Sequence, residues 1–289
     1  MKSIPLGSRW IAAVAVAAGL AFGGASAAQA QEGSWYIGAN LPLMFIDDTD
    51  SISTGSFQQT QLGPQGPVQQ TVGYSATVRT EHDTGFKLGG VLGRHLESGL
   101  RVEGEIFFAR AKVSKLTHSS ITVPALSFTL PDELPIPVTG SADQLGAMVN
   151  VWFDFDTGDN WTPYIGGGLG FIRVDRGGLD YDTGAVAEAV ANALAQAQAQ
   201  QQGIPPSMVP YVDIPDGFVP TLSSTDTALA YQIGAGVGYA LSDTTTLQIG
   251  YRLQMVEGLS FSGSNDMATV GSETDLRIHF LEVGIRQLF

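Results

Sequence analysis

After the first 30 residues, no stretch approaches the ~18 consecutive apolar residues of a spanning helix, yet apolar and polar side chains alternate with period two over ten residues or more, again and again. Segment 245–256 puts Leu247, Ile249, Tyr251, Leu253 and Met255 on one face, with Gln248, Gly250, Arg252 and Gln254 on the other. Segment 228–239 sets Leu229, Tyr231, Ile233, Ala235, Val237 and Tyr239 against Gln232, Gly234, Gly236 and Gly238. Segment 145–155 repeats the pattern, with Leu145, Val149, Val151 and Phe153 opposite Gly146, Asn150 and Asp154. The same reading gives strands over 34–45, 85–96, 99–113, 161–174 and 275–289, eight in all.

Strands of this length exceed the usual ~5–6 residues of soluble sheets and suit a tilted crossing of a ~30 Å hydrocarbon layer. Only helices and closed barrels satisfy every backbone group in lipid, and an even strand number permits up-and-down closure. A soluble sandwich or lipocalin-like barrel also alternates, but keeps its apolar face inside. Here the small and polar face is the one suited to a narrow interior, and glycines such as Gly166, Gly168 and Gly170 would leave a soluble core full of holes. The connections alternate too: 96–99, 156–160 and 241–244 read as tight turns, whereas 46–84, 114–140, 175–226 and 261–274 read as long loops. The expected fold is therefore all-β, an eight-stranded antiparallel transmembrane barrel with short turns on the periplasmic side and long loops outside.

Residues 1–30 read as an address. Lys2 and Arg9 precede an apolar stretch from Trp10 to Phe22, and Ala28-Gln29-Ala30 fits a signal-peptidase site. The apolar run is shorter than a membrane anchor needs, so the expected division is a signal peptide over 1–30 and a barrel domain over 31–289. With 14 Lys and Arg against 28 Asp and Glu, the chain has no basic stripe for nucleic acid. It has no cysteine, which excludes disulfides, thiolate zinc sites and thiol catalysis.

Three strings carry a family resemblance: WYIGANL at 35–41, TPYIGGGLGF at 162–171 and the final LEVGIRQLF ending on Phe289. They resemble the eight-stranded outer-membrane protein A-type and opacity-type surface antigen families of Gram-negative bacteria, over essentially all of 31–289. The resemblance implies that Leu281, Val283, Ile285 and Phe289 form the signal read by the barrel-assembly machinery, with Gln287 departing where an aromatic or apolar residue is usual. It also implies an outer-membrane location among lipid. The peptidoglycan-binding domain of longer family members does not follow strand eight here, so a tether to the cell wall is not implied.

The polar faces would gather Lys87, Arg101, Glu103, Glu105, Asn150, Asp154, Arg252, Glu282 and Arg286 in the lumen. An eight-stranded interior is only just wide enough for side chains, so a salt-bridged plug is expected ahead of a narrow ion or small-solute pore. In the third loop, AVAEAVANALAQAQAQQQG over 185–203 predicts a short helix between Gly184 and Pro205-Pro206, with Val186, Val190 and Leu194 on one side. The Gln-, Gly- and Pro-rich stretch 56–73 reads as a flexible surface loop. In loop two, Leu126, Phe128, Leu130 and Ile136 among Pro124, Pro131, Pro135 and Pro137 form an apolar set able to fold over the mouth or to bind. Asp47, Asp48 and Asp50 lack the glycine and terminal Glu of a calcium loop and read as a solvated acidic face. A lipid-modifying enzyme ranks third. Only His82, His95, His118 and His279 are available, and His279 and Glu282 fall on opposite faces of a strand. No cofactor, metal or catalytic residue is expected; the role is structural and surface-interacting, with an unidentified extracellular ligand held by the loops.

Overall fold

The computed structural model describes residues 33–63, 66–123, 128–129, 134–136, 138–177, 179–182 and 224–289, with residues 184, 188, 191–192, 195–196, 199–200 and 202–209 between the last two. The expected signal peptide lies outside this set. Eleven longer strands carry the architecture: β1 (Trp35–Asn40), β2 (Leu43–Ile46), β3 (Thr49–Gly63), β4 (Gly66–His82), β5 (Gly85–His95), β6 (Leu100–Val123), β7 (Ser141–Asp154), β8 (Trp161–Asp175), β9 (Thr225–Ala240), β10 (Thr245–Ser264) and β11 (Ala268–Leu288). All pairings among them are antiparallel, and they run in a circuit. β1 pairs with β5, β5 with β6, and the ladder continues through β7, β8, β9, β10 and β11 back to β1, where Tyr36 faces Leu288.

Period-two alternation decides which side chains enter this circuit. On β6, Arg101, Glu103, Glu105, Phe107, Ala109, Ala111 and Val113 are all buried, while Ile106 between them is exposed. One strand thus supplies both halves of the interior. Near the short turns the inward residues are charged or amide-bearing. Toward the other end they merge into an apolar layer that includes Met44, Phe107, Met148, Ile172, Val256, Phe261, Ile278 and Phe280. The sequence reading of a uniformly small and polar inner face is corrected on that point.

The connections are corrected as well. Much of 46–84 is not a loop, because β3 and β4 pair residue for residue from Thr49 and Thr80 to Gly63 and Gly66. Stretch 56–73, read as flexible, lies almost wholly in this hairpin, where Gln and Thr residues pair in register and Gly63 and Gly66 stand opposite each other near its end. β6 runs ten residues past the expected end, and β10 and β11 reach Ser264 and Ala268 across 261–274. The expected strand over 34–45 is two strands, since Pro42 has no N–H to donate to a ladder. β10 bulges between Val256 and Leu259, where Gly258 takes a φ of +74° and both flanking residues stay buried.

At the far end, Leu179 joins Val78, Val113, Leu116 and Val138 in a second apolar cluster. Arg176 lies 4.0 Å over the ring of Phe261. Asp180–Tyr181 pairs with Val138–Thr139, and the backbones of Phe128–Thr129 and Leu134–Ile136 pair with β6. Pro124, Leu126, Leu130, Pro131 and Pro137 lie outside the described residues. So do Val186, Val190 and Leu194; the residues described between 184 and 202 are helical. No described helix is long and apolar enough to cross a membrane, which says nothing about strands.

Candidate functional site: the ionic lumen

Four cations and four anions meet in the buried interior near the short turns, and they divide into two neutral groups. In the first, Glu105 is completely buried between Lys87, whose Nζ lies 2.6 Å from Oε1, and Arg252, whose Nη1 lies 2.8 Å from Oε2. The Nε of Arg252 lies 2.6 Å from Glu282 Oε2. In the second, Arg101 bridges Glu103 at 3.0 Å and Asp154 Oδ2 at 2.7 Å, with Arg286 3.7 Å from the same Asp154 oxygen. Register explains the meeting. Arg101 stands opposite Trp152 and Glu103 opposite Asn150 on β7, while Glu282 stands opposite Gly250 on β10.

Neutral polar groups complete the shell. The Tyr36 hydroxyl donates to Glu103 Oε2 at 2.9 Å, and Trp152 Nε1 donates to Glu103 Oε1 at 2.5 Å. Asn150 Nδ2 donates to Glu105 Oε2 at 2.9 Å, and Gln232 Nε2 donates to Asn150 Oδ1 at 2.7 Å. Aromatic faces meet the cations: Lys87 lies 4.0 Å above the Phe107 ring, Arg252 4.7 Å above Trp152 and Arg286 5.1 Å above Tyr36. Desolvating eight charges is costly, and only close pairing with added hydrogen bonds offsets it.

The inner glycines fit this arrangement. Gly166, Gly168 and Gly170 of β8 stand opposite Trp152, Asn150 and Met148 of β7, so the bulk of one strand lies over the bare backbone of the next. Space that reads as holes along one strand is filled by its neighbour.

The outward face is apolar between two aromatic belts. Trp35, Phe153, Phe155, Trp161 and Phe289 are exposed at the short-turn end; Phe45, Phe86, Phe171, Tyr231 and Tyr251 are exposed further along. Ile106, Val149, Ile165, Leu169, Ile233, Ile249, Leu281 and Val283 are exposed between them. Such belts sit where rings meet the boundary of a hydrocarbon layer. Leu281 and Val283 face outward with Ile285 on the same side of β11, and Phe289 donates its N–H to the carbonyl of Trp35 at 2.9 Å. Gln287 accepts a 2.7 Å hydrogen bond from Thr245 Oγ1, which accounts for a polar residue at that place.

The sequence of the chain matches the model of the outer membrane protein beta-barrel domain over residues 14–285. The chain belongs to this family. Its members are outer-membrane barrels, and that is where family membership locates the protein. Solved structures similar to it include neisserial surface protein A, at 15% identity and a TM-score of 0.39 over 89% of this chain and 100% of that one. Another is OprG from Pseudomonas aeruginosa, at 13% identity and 0.40 over 89% and 97%. A third is the outer membrane protease OmpT from Escherichia coli, at 9% identity and 0.36 over 88% and 97%. No curated protein matches the chain in sequence.

One constellation escaped the sequence reading. His279 does not meet Glu282; its Nδ1 lies 2.6 Å from the Tyr251 hydroxyl and its Nε2 lies 3.0 Å from Asp47 Oδ1, on the outer rim. Asp47 comes from beyond β2, far off in sequence, so only the β2–β11 pairing reveals it. Both ring nitrogens are engaged. Asp48 of the same acidic run pairs with Arg79 at 2.9 Å. Among the described residues, no three His, Asp or Glu converge as a metal cage. His95 packs against Tyr36 with ring centres 5.1 Å apart.

Proposed function

We propose that the closed pairing circuit is an eight-stranded barrel crossing the outer membrane, exported by a cleaved signal peptide over 1–30 and inserted by the barrel-assembly machinery through Leu281, Val283, Ile285 and Phe289. Its role is structural and surface-interacting, without enzymatic activity. The lumen is a plug rather than a pore, and the work at the surface falls to the extensions beyond the outer aromatic belt, including a short helix over 185–203.

One observation carries the plug reading: the lumen's charged side chains are between 0 and 11% exposed, they pair four against four, and an apolar layer covers them on the surface side. An ion entering this lumen would have to break a neutral, desolvated network and cross a mainly apolar layer in which Gln144 and Gln254 offer few polar groups.

Planar-bilayer recording of the folded protein tests this. The wild type should be silent. Arg252→Met should destabilise the barrel by about 3–5 kcal/mol, because Glu105 and Glu282 each lose a partner while buried, and it too should stay silent. Steady wild-type conductance that disappears on unfolding would replace the plug with a narrow pore.

A further inference from the structure

The hairpin of β3 and β4 stands above the barrel, and among the described residues part of its backbone edge has no ladder partner. The outer edge of β3 pairs with β11 only from Ile52 to Phe57. The outer edge of β4 pairs with β6 only from Ser75 to His82. Among the described residues, 66–74 therefore pair with β3 alone, and every second N–H and C=O along that edge points away from the hairpin. Folded proteins usually guard such an edge with lysine, proline, an inward charge or a bulge; Pro67 stands at the start of this edge, outside the stretch 68–72. Here the two irregularities of β4 fall in its paired part, at Thr77/Val78 and Glu81/His82. The guarding charges are missing as well: from Ser51 to Val78 the chain has no Asp, Glu, Lys, Arg or His.

The free edge is also close to its own mirror image in sequence. Residues 68 to 72 read Val-Gln-Gln-Thr-Val. In an antiparallel ladder centred on Gln70, Val68 meets Val72 of the other strand, Gln69 meets Thr71, and Gln70 meets Gln70. These are amide-amide, amide-hydroxyl and branched-aliphatic pairs of the kind that stabilise cross-strand contacts. Val72 is buried, whereas Val68, on the same face of the strand, is 55% exposed and lacks the cover that Val72 of a second strand would give.

We infer that this edge is a homotypic docking surface, joining two copies of the chain through β4. Charge favours a second copy here over other places on the molecule. With a net charge of −14, two copies repel across much of their surface, and this hairpin, uncharged from Ser51 to Val78, is a long exposed segment that adds nothing to the repulsion. An antiparallel ladder between identical strands has a two-fold axis across the strands. Because β3 and β4 rise away from the barrel, that axis lies between two facing barrels, and the contact is one between opposed membranes. This geometry rests on the membrane-barrel reading above.

The test reconstitutes the full chain into phosphatidylcholine vesicles, confirms insertion by flotation and by the heat-sensitive gel mobility of a folded barrel, and follows vesicle clustering by turbidity. Wild-type vesicles should cluster. Gln70→Lys sets like charges face to face and should slow clustering at least tenfold, as should Gln70→Glu. Mixing the two populations should restore clustering between them, which a general loss of folding or of surface polarity cannot do. As a second measure, Gln70→Cys should form an intermolecular disulfide in a chain with no other cysteine, while Ile52→Cys, exposed on the paired part of the hairpin, should not. Failure to float would overturn the membrane reading and this proposal with it. Floating vesicles that do not cluster, or a mixture no better than either variant alone, would overturn this proposal and leave the membrane reading standing.

Discussion

A methyl group at position 146 has no room. A Cβ built there falls inside the ring of Phe107, which lies across the glycine from the neighbouring strand, whereas a Cβ at Gly90 meets nothing within 4 Å. Gly146→Ala should therefore destabilise the fold by about 1–3 kcal/mol, and Gly90→Ala should be near neutral. Urea midpoints of the two variants check this, and equal midpoints would contradict the packing. His82 makes a different kind of prediction. Burial, helped by the nearby Arg176 guanidinium, lowers its pKa from 6.5 to about 4, while Asp48 acts in the opposite sense; its Nδ1 is buried without a hydrogen-bond partner. The folded state thus prefers the neutral ring. This stability is fully present above pH 6.5 and is lost as the pH falls toward 4, by up to about 3 kcal/mol. Hydrogen exchange across β4 and β6 at pH 7.5 and 4.5 should show the loss, and His82→Phe should remove that part of the dependence.

Among the elements, what could be read in advance was what depends on period two. The inward course of Arg101, Glu103 and Glu105, and the outward course of Leu281, Val283 and Ile285, follow from alternation alone. The length of the strands did not follow. Stretch 56–73 looks like a loop because Gln and Thr leave no apolar face, yet it pairs because a neighbouring strand supplies hydrogen bonds in register. The break at Pro42 rests on a single residue within an otherwise regular run. The division of the lumen into ionic and apolar halves is not legible in one strand, because Phe107 and Val256 continue the same inward rows as the charges, and only the meeting of seven strands shows them forming a layer. The lipid-facing row gives an element-scale prediction. Ile233, exposed between the two belts, should cost about 2–4 kcal/mol as Ile233→Arg, and Tyr239→Arg, at the short-turn belt, should cost about 0–1. Refolding into vesicles measures both, and equal costs would contradict the assigned depth.

On the scale of the molecule, the interior works as two stacked seals of opposite chemistry. In the ionic one each charge lies beside an opposite charge, and the one above it is mainly apolar, with Gln144 and Gln254 buried in it. The contacts between Arg176 and Phe261 and around Leu179 add a third closure at the far end, drawn from the chain between β8 and β9. Under the plug proposed above, a rigid wall and a surface role are compatible, because no solute crosses the lumen.

The seam between β1 and β11 has a kinetic consequence. Tyr36 and Leu288 are nearly the whole described chain apart, yet they are neighbours in the ladder. Closing so long a loop costs more entropy than any hairpin in the circuit, and no contact along the seam exists until the last strand arrives. Closure therefore comes late in folding, and opening the ring means tearing a ladder with no free end from which to fray. Refolding and unfolding should follow different curves on ordinary timescales, so the lifetime of the closed ring, more than its equilibrium free energy, will govern how long the protein persists once inserted.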